Sequence, residues 1–444
     1  MVPSASGEEQ KSPLDANRFS VDRSAGLAGQ YQVAYNPEEN VLFISGSFNH
    51  TKTHGTLCAT IARINADTLQ IEKTAVLPAI PENNPGLDNL FQIQAAYGLA
   101  ADNERELLWT GGTRTNSVSA YSQKDLALVW DSLALGVEML IPRELYVAPS
   151  GAVLVTGMGG YQVISAPNEE GERAVSSLQG DGPAMLLGPV ADEARSRLYI
   201  PNIMRDEIWV VDMNSWGLVR RLPVTGGEDA NALIGIHGVE IDSTRGELYV
   251  SAQGREGKNG GLYVLSFEGE HLAYLPFGKM PTDILLDAER QLLYVADFGG
   301  KGEPAVAGGG TITVIDTLNR TIIETLQAAP TRINHQVLLK DGSVIAIDKA
   351  GDYPAVEVSY VLDARSGEYY EAAEENRPGE APRPIVRDGI AKIYICHSCR
   401  VKSSWYTQNS HCRSLVPVCA LAGWGSSTGV ILSLGRGKSV VGEH

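Results

Sequence analysis

The polar residues whose types could do chemistry in this chain are Arg143 and Glu144, His237, Asp283, Asn334 and His335, with Asn202, Asp297 and Asp348 behind them. Mixed charge with two histidines suits a small polar ligand or a cation. Glu144, Asp283, Asp297 and Asp348 would alternatively supply the carboxylates of a metal-dependent hydrolase or lactonase. None of these residues sits in a motif that specifies a reaction. The chain has no G-x-x-x-x-G-K-S/T, no G-x-S-x-G and no H-E-x-x-H, so phosphate cradling, nucleophile-elbow hydrolysis and zincin chemistry lack support. The glycine-rich run GGTRTNS at 111–117 leads into a strand pattern, without the helix N-terminus that gathers N–H donors around a phosphate.

A repeat positions these residues. The apolar segments VLFIS, LLWTG, AVLVTG, RLYIPN, ELYVSA, LLYVAD and SVIAID recur along the chain, with Leu42, Leu108, Val153, Leu198, Leu248, Leu293 and Val344 as equivalent anchors. Around each anchor the order is constant: an apolar run, a tight polar turn, the anchor segment, a variable loop, a third alternating run, another compact turn and a last strand. Turns such as NPEEN, DNERE and DAERQ, and later NADTLQ and DTLNRT, carry the Asp and Asn of hairpins. Four antiparallel strands repeated seven times predict an all-β fold, a seven-bladed β-propeller. Two sandwich domains would have no reason to repeat one strand order seven times.

LYIPNIMRDEIWVVDMNSWGLVRRLPVTG and LLYVADFGG…GTITVIDTLNRTIIETLQ resemble the YVTN-type repeat, and the chain from about residue 25 to 370 is similar to the YncE-like family of bacterial propellers. The resemblance implies a periplasmic or cell-envelope binding protein with no established reaction, and nucleic-acid binding is attached to some members. No apolar run of signal-peptide or membrane-span length is present.

Charge bears on partners. The chain has 36 basic and 53 acidic residues, a net −17, which repels phosphate backbones and disfavours nucleic acid as a partner. From residue 381 the balance reverses, with eight Lys or Arg against two acids, and four of the five cysteines (Cys396, Cys399, Cys412, Cys419) fall there. The irregular spacing of CHSCRVKSSWYTQNSHC makes a poor zinc signature. No metal and no cofactor are expected, and a monomer is. The expected organisation is a disordered leader at 1–24, a propeller at 25–375 and a disordered basic tail at 376–444. Blade seven is expected to take its third and fourth strands from VSYVLD and EYYEA, which would leave residues 381–444 dispensable.

Loop length locates the binding face. The long loops, including those at 46–58, 252–261 and 297–310 and the link at 78–91, all open on the face where the innermost strands begin, and variable loops on a rigid scaffold commonly carry binding. Counting ten residues back from each anchor gives Gln32, Gly98, Arg143, Gly188, Gly238, Asp283 and Asn334 near the channel mouth. Four residues after the anchors stand Gly46, Gly112, Gly157, Asn202, Ala252, Asp297 and Asp348, with Glu144, His237 and His335 beside the first ring. The expected function is a non-enzymatic binding protein whose ligand, a small polar or cationic molecule or a macromolecular partner, lies at the mouth. Metal-dependent hydrolysis and a quinoprotein-like redox role are the alternatives, the latter on fold analogy alone.

Overall fold

The computed structural model describes residues 19–25, 30–47, 59–77, 96–113, 115–255, 257–299, 310–329, 332–348, 359–363, 368–372, 383–384 and 389–395. Its first turns show why the repeat folds as it does. In all seven blades the residue two before the anchor lies in the left-handed region: Asn40, Glu106, Gly151, Ser196, Gly246, Gln291 and Gly342, with φ between 52° and 83°. A side chain at the start of the turn holds that conformation. Asp102, Asp192, Asp242 and Asp287 each accept the backbone N–H three residues on, at 3.0–3.2 Å, an Asx-type turn that joins the first two strands.

Seven four-stranded antiparallel sheets result. Blades one to six run in sequence order from the innermost strand outward, beginning at Gln30–Asn36, Ala96–Asp102, Leu145–Val147, Val190–Asp192, Ile236–Asp242 and Pro281–Asp287. The first strand of blade one packs against both Ala96–Asp102 and the blade-seven strand Ile333–Leu338, so the ring is closed.

The core is divided among the blade interfaces. Seven hydrophobic clusters fill the seven gaps, from Phe43, Tyr97 and Leu108 between blades one and two to Leu42, Ile345 and Ile390 between seven and one. Every anchor is in the second strand of its blade and completely buried, so the seven positions are equivalent as the sequence predicts. At roughly 1.5–3 kcal/mol for each large apolar side chain, this burial on both faces is the main stabilising term.

Blade seven departs from expectation. Its strand order is Ile333–Leu338, Val344–Asp348, Gly389–Ile395 and then Phe19–Ala25. The third strand therefore comes from the stretch assigned to the tail, and the outermost from the stretch assigned to the leader. SYVLD and EYYEA pair with each other instead, in a separate three-stranded sheet of Ser359–Asp363, Glu368–Ala372 and Arg383–Pro384. A third strand must be apolar on both faces, and GIAKIYI meets that need. Ile390 enters the seven–one cluster, while Ala391 and Ile393 enter the six–seven cluster. FSVDRSA is more polar, which suits an outer strand. The buried Lys392 donates from Nζ to the Ala66 carbonyl of blade one at 3.2 Å and lies 3.7 Å from Asp341, so the same strand ties blade seven to its neighbour. The remaining leader and tail residues, the tail cysteines among them, lie outside the described residues.

The strand Gly389–Ile395 makes removal of residues 381–444 costly rather than neutral. Truncation after residue 380 removes Ile390 and Ile393, worth roughly 3–6 kcal/mol together, and leaves Phe19–Ala25 unpaired. The melting temperature should fall by several degrees at least, on the scale where about 1 kcal/mol moves a large domain by roughly 2–4 °C. A melt indistinguishable from that of the full chain would refute this composition of blade seven.

Candidate functional site at the channel mouth

Register decides which residues meet at the mouth. Opposite the anchors on the innermost strands stand Tyr35, Ala101, Val147, Ala191, Ile241, Leu286 and Leu338. The offset is seven residues except in blades three and seven, where it is six. There the hairpins Ala148–Ala152 and Leu339–Ser343 are shorter by one residue and turn on Gly151 and Gly342. Three residues before these partners, the ring reads Gln32, Gly98, Glu144, Gly188, Gly238, Asp283 and His335. Counting from the anchors alone put Arg143 and Asn334 in this ring; the structure puts Glu144 and His335 there, because a one-residue change of register moves the next side chain into place.

In blades one, two, five, six and seven the innermost strand also carries a bulge at this level. A bulge re-aims side chains and leaves backbone groups outside the ladder. Side-chain hydroxyls from the second strands take up the N–H groups at ring level: Gln32 N to Ser45 Oγ at 3.1 Å and Gly238 N to Ser251 Oγ at 2.9 Å, with Glu144 N to Thr156 Oγ1 at 3.2 Å in blade three.

Across the mouth these residues connect blades that are not neighbours. Glu144 of blade three passes Gly98, accepts from Gln32 Nε2 of blade one at 2.6 Å and lies 3.7 Å from His335 Nε2 of blade seven. Gly98 is required for that path, since a Cβ there would stand 2.5 Å from the Arg143 carbonyl. The Arg143 guanidinium lies 6.0 Å from the centre of the Tyr97 ring and interacts with Tyr31 and with the Glu144 charge. Tyr97 meets Tyr31 edge to face at 4.3 Å, and Tyr31 faces the His335 imidazole at 5.9 Å. Tyr31, followed by Glu144 and Tyr97, raises the guanidinium pKa against the opposing effect of burial. The result is a preformed polar cluster on the side of blades seven, one, two and three.

Blade four leaves its sector open. A Cβ on Gly188 would meet only Glu144 Cγ, at 3.9 Å, whereas one on Gly238 would meet Ile284, the Thr282 carbonyl and Ser251 at 2.9–3.0 Å. His237 and Asn334 hold the first bulge position of blades five and seven, His237 partly exposed and Asn334 buried.

The remaining sequence candidates are engaged elsewhere. Asn202 is buried; its oxygen accepts from Met185 N and Met204 N and its amide donates to Glu207 and the Pro183 carbonyl. Asp297 accepts from Lys279 N, Met280 N and Gly299 N at 2.6–3.0 Å. Both fasten the inter-blade links to the second strand. The Asp348 side chain lies outside what is described. Among the described residues no group of three or more His, Cys, Asp or Glu is arranged to hold a metal ion, so Glu144, Asp283 and Asp297 do not converge as the hydrolase alternative needs.

One functional candidate was missed. Glu240, two residues beyond Gly238 on the innermost strand of blade five, couples to Asp283 of blade six. Burial, then the Asp283 charge, pushes the Glu240 carboxyl up to about 8, while backbone N–H groups of Ile241 and Leu286 oppose the rise. Burial likewise pushes Asp283 up to about 7, although its Oδ2 accepts from Gln336 N at 2.7 Å. The sequence did hold the signal: the positions equivalent to Glu240 are Ala34, Ala100, Tyr146, Val190, Leu285 and Val337, none of them charged.

No protein-family model matches the chain, and no curated protein matches it. Among the described residues no helix is long and apolar enough to cross a membrane.

The two raised carboxyls make stability depend on pH. Ordinary carboxyls titrate near 4 in the unfolded chain, so between about pH 4 and 8 the folded protein holds more protons there than the unfolded one. Their contribution to stability therefore falls as pH rises through that window and levels off above it. Glu240→Gln should be close to neutral at pH 4.5 and stabilising by about 2–4 kcal/mol at pH 8.5. Denaturant titrations at the two pH values check this, and an equal effect at both would show that Glu240 titrates normally.

Proposed function

We propose that this chain is a non-enzymatic binding protein that holds a small polar ligand at the channel mouth. The propeller fold supports a binding or scaffold role in general. The finer reading is carried by one observation, the open sector at Gly188 beside the preorganised polar cluster of Glu144, Gln32 and His335. Glu144 borders the opening, with Arg143, Gln32 and His335 positioned behind it and Asp283 and His237 on the opposite side of the ring. Rigid polar groups around an open concavity lower the ordering cost of binding. The YncE-like resemblance, and with it a periplasmic or cell-envelope location, belongs to the same proposal.

Gly188 supplies the test. Its backbone is in an ordinary region and its surroundings are open, so Gly188→Leu should fold with a melting temperature close to that of the parent while filling the opening. A thermal-shift screen of small polar compounds should yield ligands that stabilise the parent protein and lose most of that shift in Gly188→Leu and in Arg143→Ala. A stabilising ligand whose shift survives both substitutions would place the site away from the mouth.

A further inference from the structure

An apolar rim borders the open sector of blade four. In the second loop of blade three, Met158 stands opposite Met185 of the following link in an antiparallel bridge, with Gly159 N donating to the Ala184 carbonyl at 2.8 Å and Leu186 N to the Gly157 carbonyl at 3.1 Å on either side. Such a pair does not hydrogen-bond to itself, and it brings the Cα atoms to about 4.5 Å with both side chains on one face. The next bridge, Leu186 to Asn202, carries the ribbon into the second loop of blade four, where Ile203 N donates to the Met185 carbonyl at 3.2 Å. Leu186 and Asn202 are fully buried, so alternation turns their neighbours Met185 and Ile203 outward. Met158, Met185 and Ile203 are accordingly all partly exposed. Two side chains extend the rim: Asn202 Oδ1 accepts from both Met185 N and Met204 N, and Asp206 Oδ2 accepts from Ile234 N at 2.7 Å, next to Leu233 in the link to blade five. Met204 is 46 % and Leu233 49 % exposed. Three of the seven methionines of the chain thus gather in one surface patch, and pliable thioether side chains grouped at a surface suit binding rather than packing.

We propose that the ligand of the mouth is a small amphiphilic cation, its charged group beside Glu144 above Gly188 and its apolar part on Met158, Met185, Ile203, Met204 and Leu233. The inference rests on the mouth reading and gives it a ligand class. The two halves of the site are close enough for one small molecule. Met185 is three residues from Gly188, a span of at most about 10 Å, and a Cβ on Gly188 would stand 3.9 Å from Glu144 Cγ. Charge complementarity selects the cation. Glu144 is the side chain that borders the opening, whereas the Arg143 guanidinium lies against the Tyr97 ring of blade two and Arg205, in the second loop of blade four, pairs with Asp181 at 3.8 Å. At longer range the net charge of −17 draws cations toward the protein. The apolar part then adds affinity in proportion to the surface that it takes from water.

The test is a calorimetric titration of the whole protein with butyl-, hexyl- and octylammonium chloride at one ionic strength, with sodium octanoate as the anionic counterpart. Affinity should rise by roughly two- to fourfold for each added methylene, and octanoate should bind at least tenfold more weakly than octylammonium. Met185→Ser should flatten the dependence on chain length while leaving butylammonium binding little changed. Met204→Ser, at a more exposed position, should do the same and keeps the test valid if Met185→Ser lowers the melting temperature. Glu144→Gln should weaken all three amines by a similar factor. No binding by any amine, affinity independent of chain length, an unchanged dependence in both methionine variants, or octanoate binding as tightly as octylammonium would each overturn the amphiphilic cation. The mouth reading would survive any of these if ligands from the polar screen lost their shift in Gly188→Leu. Chain-length-dependent amine binding that Gly188→Leu leaves unchanged would overturn the mouth reading, and this site with it.

Discussion

Each blade has two faces to bury and a neighbour on either side with which to bury them, and the rest of the structure depends on that burial. The second strand lies deepest, which is why Leu42, Leu108, Val153, Leu198, Leu248, Leu293 and Val344 are all fully enclosed. No single blade could support its own sheet, since a four-stranded sheet with both faces apolar would expose them to water. Polar ties add direction to this packing. Arg320 of blade six reaches Glu247 of blade five at 2.8 Å, and Glu247 also accepts from Arg245 and from the Tyr249 hydroxyl. Such ties fix how far one blade turns against the next, and that angle sets the width of the channel.

The repeat was legible because its signals are local. An Asp three residues before the N–H that it accepts, a left-handed residue two before the anchor and an apolar anchor can all be read within a dozen residues. Register at the mouth was less so. The turns APSGA and LKDGS are one residue shorter than DNEREL, and without allowing for that Arg143 and Asn334 replace Glu144 and His335 in the ring. The information was present, but it lay in turn length rather than in residue type. Glu240 was overlooked for a related reason: within GVEID it reads as an ordinary alternating strand residue, and only comparison with the uncharged residues of the other blades sets it apart.

Blade seven was illegible for a different reason. Its pairing joins segments that no local pattern connects, and SYVLD and EYYEA offer β-rich sequence much closer along the chain. The choice is made by the packing environment. A third strand receives side chains from both neighbouring blades, so the apolar residues that GIAKIYI offers to both faces, Ile390 on one and Ala391 and Ile393 on the other, matter more than proximity. At the mouth, glycine has two distinct uses. Gly98 admits a neighbouring backbone, while Gly188 leaves room that the protein itself does not fill. The residue type is the same, and only the surroundings separate packing from opening.

The pairing of Phe19 with Ile395 also has a consequence in time. During synthesis, blades one to six can form as their residues emerge, yet the ring has to wait until residue 395 has left the ribosome. Closing a loop of that length costs about 2 kcal/mol more entropy than closing one blade of 45 residues, since each doubling adds roughly 0.6 kcal/mol. Until then the outer face of Val344–Asp348 and the apolar flanks of blades six and one stand open, a period in which such edges can capture one another or a second chain. The slow step of folding should therefore be the arrival of the last strand, and a nascent chain stalled shortly before it would present an open ring with two adhesive ends.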